Sequence, residues 1–316
     1  DGSDILNAVT YGDISSGKNL DGKIAGGNGE GSGETSKLIG DEFFGWEGLS
    51  EDGKPIQLVN LWIEQLADQA SDGISFSVKT IDGDVNVTSV QYDVQGRNQR
   101  QLLQKFLMGA VSFSQGTNDY FQSDWAVQVT TQEGSKNYTE AEHNYDEAFG
   151  YYGAARDNND YSDLEARAKA TDDTRSDWEN GYYDTSGDGF IDPRSEFNFG
   201  HAQNCAKRDV GTADNAKPTD LSTEAMDAFL AGRQIIANAS NAGSITDNEL
   251  EELQGFIKTA ALTWEKCIAA TAIHYINDVT ADIADFSDGS YASVSNFTDL
   301  GKHWSELKGF ALSLQF

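Results

Sequence analysis

TDNELEELQGFIKTAALTWEKCIAATAIHYIN, residues 246–277, is the stretch whose reading decides the fold. Leu250, Leu253, Ile257, Ala260, Ala261, Trp264, Ile268, Ala272, Tyr275 and Ile276 recur at spacings near three and four. That period lines one face of an α-helix with apolar side chains. Thr246 and Glu249 form a capping box at its start, where the hydroxyl and the carboxylate satisfy two otherwise orphan backbone N–H groups. Working outward, the same period predicts further helices. Pro55 opens one that carries Ile56, Val59, Leu61, Trp62, Ile63 and Leu66. Residues 97–121 carry Leu102, Leu103, Phe106, Leu107, Ala110 and Phe113. Thr139 with Glu142 forms a second capping box for a helix reaching about Ala155, and two more helices cover 222–238 and about Asp299 to Leu314. Residues 74–90 alternate polar and apolar around an Asp-Gly turn, the signature of a β-hairpin. The expectation is a mainly α fold, a helical bundle with one small hairpin.

Residues 1–50 are Gly-rich, with GGNGEGSGE at 26–34, and read as a loop-rich N-terminal arm. That Gly run lacks the GKS or GKT ending of a nucleotide loop. Residues 51–316 then form the helical domain, with the acidic segment 171–220 as an inserted loop. The chain has 316 residues, and its 52 acidic against 22 basic side chains give a net charge of −30. Nucleic acid is excluded as a partner, because each bound phosphate has to be neutralised by Lys or Arg and no basic patch is visible. The charge instead suits a salt-adapted, soluble protein. No run approaches the ~18 apolar residues of a membrane span, and residues 1–20 lack the basic-then-apolar pattern of a secretion signal, so the chain reads as mature. Cys205 and Cys267 form no CxxC pair; a disulfide and two separate buried thiols both fit, and the disulfide would place the chain in an oxidising compartment.

With four His and many Asp, the polar chemistry is mostly carboxylate. In the helix from Thr139, Glu140, His143 and Glu147 fall on one face. Asp299, His303 and Glu306 do the same near the C-terminus. Both windows have an acid three residues after the His (Asp146 and Glu306) and a Glu-x-x-Gly-aromatic ending. If the two helices pack together, with Gly150 and Gly309 letting their backbones approach, His143 and His303 with Glu147, Glu306, Glu140 and Asp146 enclose one cation. Such mixed nitrogen and oxygen donors suit iron, zinc or manganese. The plainer alternative is an acidic first turn favoured by the helix dipole, with His143 paired to Glu147.

The sequence Gly301-x-His303-x-x-Glu306 matches the GxHxxE motif, and here the chain resembles the imelysin-like superfamily, which includes iron-regulated protein A and periplasmic iron-uptake components. KFLMGA (105–110), EHNYDEAFGYYG (142–153), FLAGRQII (229–236), HYIN (274–277) and HWSELKGFALSL (303–314) look like the recurring pieces of a related, uncharacterised family of bacterial exported lipoproteins. The resemblance runs from about residue 95 to the end. It implies an all-helical bundle, export to the periplasm or cell surface, and a role in iron or other divalent-metal acquisition, with an outer-membrane or uptake-system partner. By motif it implicates His303 and Glu306, then His143 and Glu147.

DTSGDGFIDPRSE, residues 184–196, has its own signature. Asp184, Ser186, Asp188, the Phe190 carbonyl and Asp192 occupy positions 1, 3, 5, 7 and 9 of a calcium loop, with Gly189 at the sharp turn. The closing acid, Glu196, arrives one residue late. The alternative is an Asp-Gly-rich surface turn. His274, on the apolar helix, reads as a core histidine, and His201 as a loop cap. HExxH and GxSxG are absent. Three functions follow: capture of a metal ion, iron or another divalent metal, with a structural Ca2+ loop; a calcium-stabilised, non-catalytic surface module; and a metallopeptidase.

Overall fold

A computed structural model describes residues 20–25, 38, 42–49, 54–211 and 219–316. The chain is mainly helical, with one two-stranded antiparallel sheet among the described residues. Helix α1 (Pro55–Asp72) begins on its proline. Strands β1 (Phe76–Thr80) and β2 (Gly83–Val87) form the expected hairpin, pairing Phe76 with Val87 and Thr80 with Gly83. Helix α2 (Gln99–Leu107) starts at Asn98, whose side chain accepts from the Gln101 N–H. It passes into a π-helical turn (Met108–Phe113) and then α3 (Ser114–Asn118). After the short α4 (Trp125–Gln128), α5 (Glu140–Tyr152) carries the Thr139–Glu142 capping box and stops at Gly153 in the left-handed conformation. Then come α6 (Asp163–Ala166), α7 (Gly200–Asp209), α8 (Leu221–Ala242), α9 (Asp247–Ala284) and α10 (Val294–Ser313).

Helix α9 has 38 residues and is about 57 Å long at 1.5 Å per residue. It is the element on which α7, α8 and α10 pack. Helix α10 runs antiparallel to it, since His303 meets Asp282 while Phe310 stacks on Tyr275. On its other side α10 runs parallel to α2: Ser305 accepts from the Asn98 N–H (2.8 Å), and Ser313 donates to the Lys105 carbonyl (3.0 Å). The centre is aromatic. Trp264 meets Phe113 and Tyr152 edge to face, and Phe229 sits among Phe121, Tyr145, Phe149 and Tyr152. Such contacts add to the large area each ring buries.

Parts of the Gly-rich N-terminal region belong to this core. Ile24 and Ala25 are buried, the Ala25 N–H donates to the Ala110 carbonyl in the π-helical turn, and Trp46 meets Trp62 edge to face. The acidic segment 171–220, expected as a loop, is helical over α7. Cys205 of α7 is disulfide-bonded to Cys267 of α9, with both residues fully buried, which resolves the two alternatives for the thiols. Among the described residues no helix is long and apolar enough to cross a membrane.

Candidate functional site

Helix α10 presents His303 to α9. The Asp282 carboxylate can only accept, so His303 donates to it from Nδ1 (2.7 Å), which fixes the ring's orientation and leaves Nε2 as the atom available to another partner. One turn further, Glu306 is 4% exposed. Its Oε1 lies 3.6 Å from Lys105 Nζ of α2, and its Oε2 is buried without a hydrogen-bond partner. Tyr275 of α9 lies between these groups, its ring 6.1 Å from His303 and its hydroxyl pushed up by burial and by the Glu306 charge. His274 contacts Asp278, Nε2 to Oδ2 at 3.2 Å. Burial and the Arg208 charge push its pKa down, against the pull of Asp278.

Gly301 explains the first letter of the motif. A Cβ there would overlap the Gly96 carbonyl oxygen, so glycine is what lets α10 approach the turn before α2. Gly309 serves the same approach one helical stretch later, where a Cβ would lie 2.6 Å from Lys105 Cβ.

Helix α7 closes the site. His201 donates from Nε2 to the Met108 carbonyl (2.8 Å) and sits edge to face with Trp264, while Asn204 contacts Met108 Sδ (3.8 Å). Burial lowers the His201 pKa to about 4, so this ring stays neutral. Burial and neighbouring cations, Lys105 first among them, push Lys207 down, and burial does the same to Arg208.

His143 and His303 do not meet. Thr139, at the start of α5, lies 3.0 Å from Ser240 near the end of α8, beside the point where α9 begins. His303 instead faces Asp282 near the far end of α9, roughly 50 Å along its axis. The expected packing of the two His helices is thereby overturned: α5 packs on α3, α7 and α8, whereas α10 packs on α2 and α9. Gly150 faces open space, and the approach at Gly309 is to α2. The residues of the first window have local partners. His143 stacks on Tyr138, Asp146 pairs with Arg233 (2.7 Å), and the hydroxyls of Tyr120 and Tyr151 are pushed up by burial first and by the Glu147 charge second. Glu140 begins α5, its N–H donating to the Thr131 carbonyl. Asp299 is exposed and acts on Tyr92 rather than joining His303.

Two readings of the remaining histidines are also corrected. His274 is exposed rather than in the core, its ring meeting Asp278 one turn further along α9. His201 is a buried helical residue rather than a loop cap. The HYIND run carried the missed signal: His274, Asp278 and Asp282 are spaced by four and share one face of α9. Among the described residues no three His, Cys, Asp or Glu side chains are disposed to hold a metal ion. His274, Asp278, Asp282 and His303 supply nitrogen and oxygen donors at the α9–α10 rim, but they are engaged with one another, and an ion has to displace those pairs.

In the 184–196 turn, Asp184 accepts from the N–H groups of Gly187, Asp188 and Gly189 (2.7–3.1 Å), and the Gly189 bond is the main reason its pKa is held down. Asp188 accepts from the Phe190 N–H. Although one position late, Glu196 reaches back to the Ser186 and Asp192 N–H groups at 2.9 Å each, which lower its pKa. Ser186 donates to Asp184 (3.2 Å), and Asp192 is bound by the Arg194 guanidinium. The donor set is all oxygen, as calcium requires, with the Arg194 contact as its competitor.

The matching family model covers residues 53–316, and the chain belongs to that family, a domain of unknown function designated DUF4856. No curated protein matches the chain. No solved structure matches it either.

Proposed function

We propose that the chain is an exported helical-bundle protein of imelysin-like type that captures a metal ion, iron or another divalent ion, rather than turning over a substrate. The observation that carries this reading is the His303–Asp282 pair in the GxHxxE helix. Metal-binding imidazoles characteristically give one ring N–H to a carboxylate, which aims the other nitrogen at the ion. His303 has such a carboxylate beside it in Asp282, and His274 and Asp278 stand on the facing helix. The ion is cargo, and capture requires the rim side chains to leave their present partners. Export to the periplasm or cell surface is supported by the Cys205–Cys267 bond, since disulfides persist in oxidising compartments.

The test is titration of the purified chain with ferrous iron or zinc in calcium-containing buffer, with a His274→Ala/His303→Ala double variant and His143→Ala beside it. The proposal expects one equivalent bound by the native chain and by His143→Ala, and none by the double variant. Equal stoichiometry in all three removes it.

A second reading, a calcium-stabilised surface module, is favoured by the 184–196 turn. There Asp184, Ser186, Asp188, the Phe190 carbonyl, Asp192 and Glu196 would hold Ca2+ and brace the segment leading into α7. Its affinity would fall in the ~0.1–1 mM range of extracellular calcium modules.

A further inference from the structure

An apolar cleft opens between α9, α10 and the turn that precedes α2. Two glycines shape it. Gly96 has a φ of +80°, and a Cβ there would meet the Phe297 ring at 3.1 Å, while a Cβ on Gly301 would strike the Gly96 carbonyl. The turn from Asp93 to Arg97 therefore lies directly against α10. On the other side Tyr291 is fixed by pairing with the hairpin: its N–H donates to the Lys79 carbonyl and its carbonyl accepts from the Ile81 N–H, both at 3.0 Å. The space left is about 370 Å³, walled by Val279 and Ile283 of α9, Phe297, Leu300 and Trp304 of α10, and Tyr291. That volume falls within the ~300–1,000 Å³ of small-molecule sites.

Apolar surface continues outside the cleft. Ile283 is 54% exposed, and Ile276, two turns earlier on the same face of α9, is 50% exposed. Exposed Phe286 meets Tyr291 edge to face (4.8 Å). Single exposed apolar side chains are ordinary, but a group of them around a cleft marks a binding surface, here in a chain of net charge −30.

The turn supplies the polar side chains of the lining, Gln95 and Arg97. Arg97 Nε donates to Asp93, Nη2 reaches Gln95 Oε1 (3.4 Å), and the guanidinium lies over the Trp46 ring (5.8 Å), so the group is held in place. Asp93 also accepts from the Gln95 and Arg97 N–H groups (3.0 and 2.9 Å), so its charge is shared among three donors. Arg97 Nη1, Gln95 Nε2 and Trp304 Nε1 have no hydrogen-bond acceptor among the described residues. The unfilled nitrogens are all donors, which calls for an acceptor on the ligand.

We propose that this cleft binds an aliphatic monocarboxylate, with the alkyl chain between α9 and α10 and the carboxylate on Arg97 Nη1. Each methylene taken out of water favours binding, and a guanidinium gives a carboxylate a charge-assisted hydrogen bond. None of His274, Asp278, Asp282 and His303 lines the cleft, so the site goes beyond the metal-capture reading.

Titration calorimetry on the full chain tests this with dodecanoate below its micelle concentration, dodecanol, which has the chain without the charge, and butyrate, which has the charge without the chain. Dodecanoate is expected to bind at one site, at least about tenfold more tightly than either of the others. Ile283→Glu puts a charge at an exposed position on the cleft wall, where the fold tolerates it, and should weaken dodecanoate at least about tenfold. Arg97→Gln should remove the preference for dodecanoate over dodecanol while dodecanol binding persists. Absence of dodecanoate binding, equal binding of dodecanol or butyrate, or full dodecanoate binding by Ile283→Glu overturns the proposal, and a preference that survives Arg97→Gln overturns the carboxylate contact. A dimer that Ile283→Glu dissolves, in a chain that takes up no dodecanoate, overturns it as well and gives the face to a second copy.

Discussion

Removal of the Cys205–Cys267 bond should cost the fold about 4 kcal/mol. The two cysteines are 62 residues apart. In the chain-entropy description, a closed loop of that length takes about 14 cal/mol/K from the unfolded ensemble, about 4 kcal/mol at 25 °C. Both residues are fully buried, and the Tyr152 hydroxyl donates to Cys205 sulfur at 3.2 Å, so Cys205→Ala also strands a buried hydroxyl. Reduction of the native protein is therefore the cleaner perturbation, because it keeps the sulfur in place. Urea unfolding with and without a strong reductant measures the difference, and the thermal midpoint should fall on the order of 10 °C. The loss should be concentrated at α7, whose amide protons become the first to exchange. A change below about 1 kcal/mol would refute the view that this bond fixes α7 on α9 by restricting the unfolded chain.

Gly301→Ala forces a Cβ onto the Gly96 carbonyl and should destabilise by about 1–3 kcal/mol in urea unfolding, the cost of overpacking a tight contact. His201 is held neutral by burial with a pKa of about 4 against 6.5 in the unfolded chain. The unfolded state therefore takes up the proton first, and stability should fall as pH drops from about 6.5 toward 4, with that slope reduced in His201→Gln. If the 184–196 turn binds calcium, saturation at a hundred times Kd should add about 2.7 kcal/mol, read as a rise in melting temperature that a chelator reverses and Asp184→Asn abolishes.

Much of the helical framework was legible in sequence because its signals are local. The capping boxes at Thr139 and Thr246, the proline at α1 and the three-four spacing of α9 each act within one or two turns. Helix α7 was not legible, because its buried face is built from His201, Ala202, Cys205 and Ala206, whose small or polar side chains give little apolar periodicity. The site divides in the same way. GxHxxE drew attention to His303 and Glu306, but the groups that define their chemistry are Asp282 on the antiparallel neighbour and Lys105, about two hundred residues away on α2. A one-dimensional pattern carries no information on such partners. It also made His143 and His303 look equivalent, because both stand on acidic helical faces. What separates them is the length of α9.

The central claim is that the α9–α10 rim takes a metal ion through His303. Crystals grown with iron or zinc, with diffraction recorded on either side of the metal absorption edge, test it most directly. The account predicts an anomalous peak about 2.0–2.2 Å from His303 Nε2, with His274 or Asp278 turned toward it. A peak at His143 and Glu147, or a His303 that keeps its present surroundings at full metal loading, contradicts it.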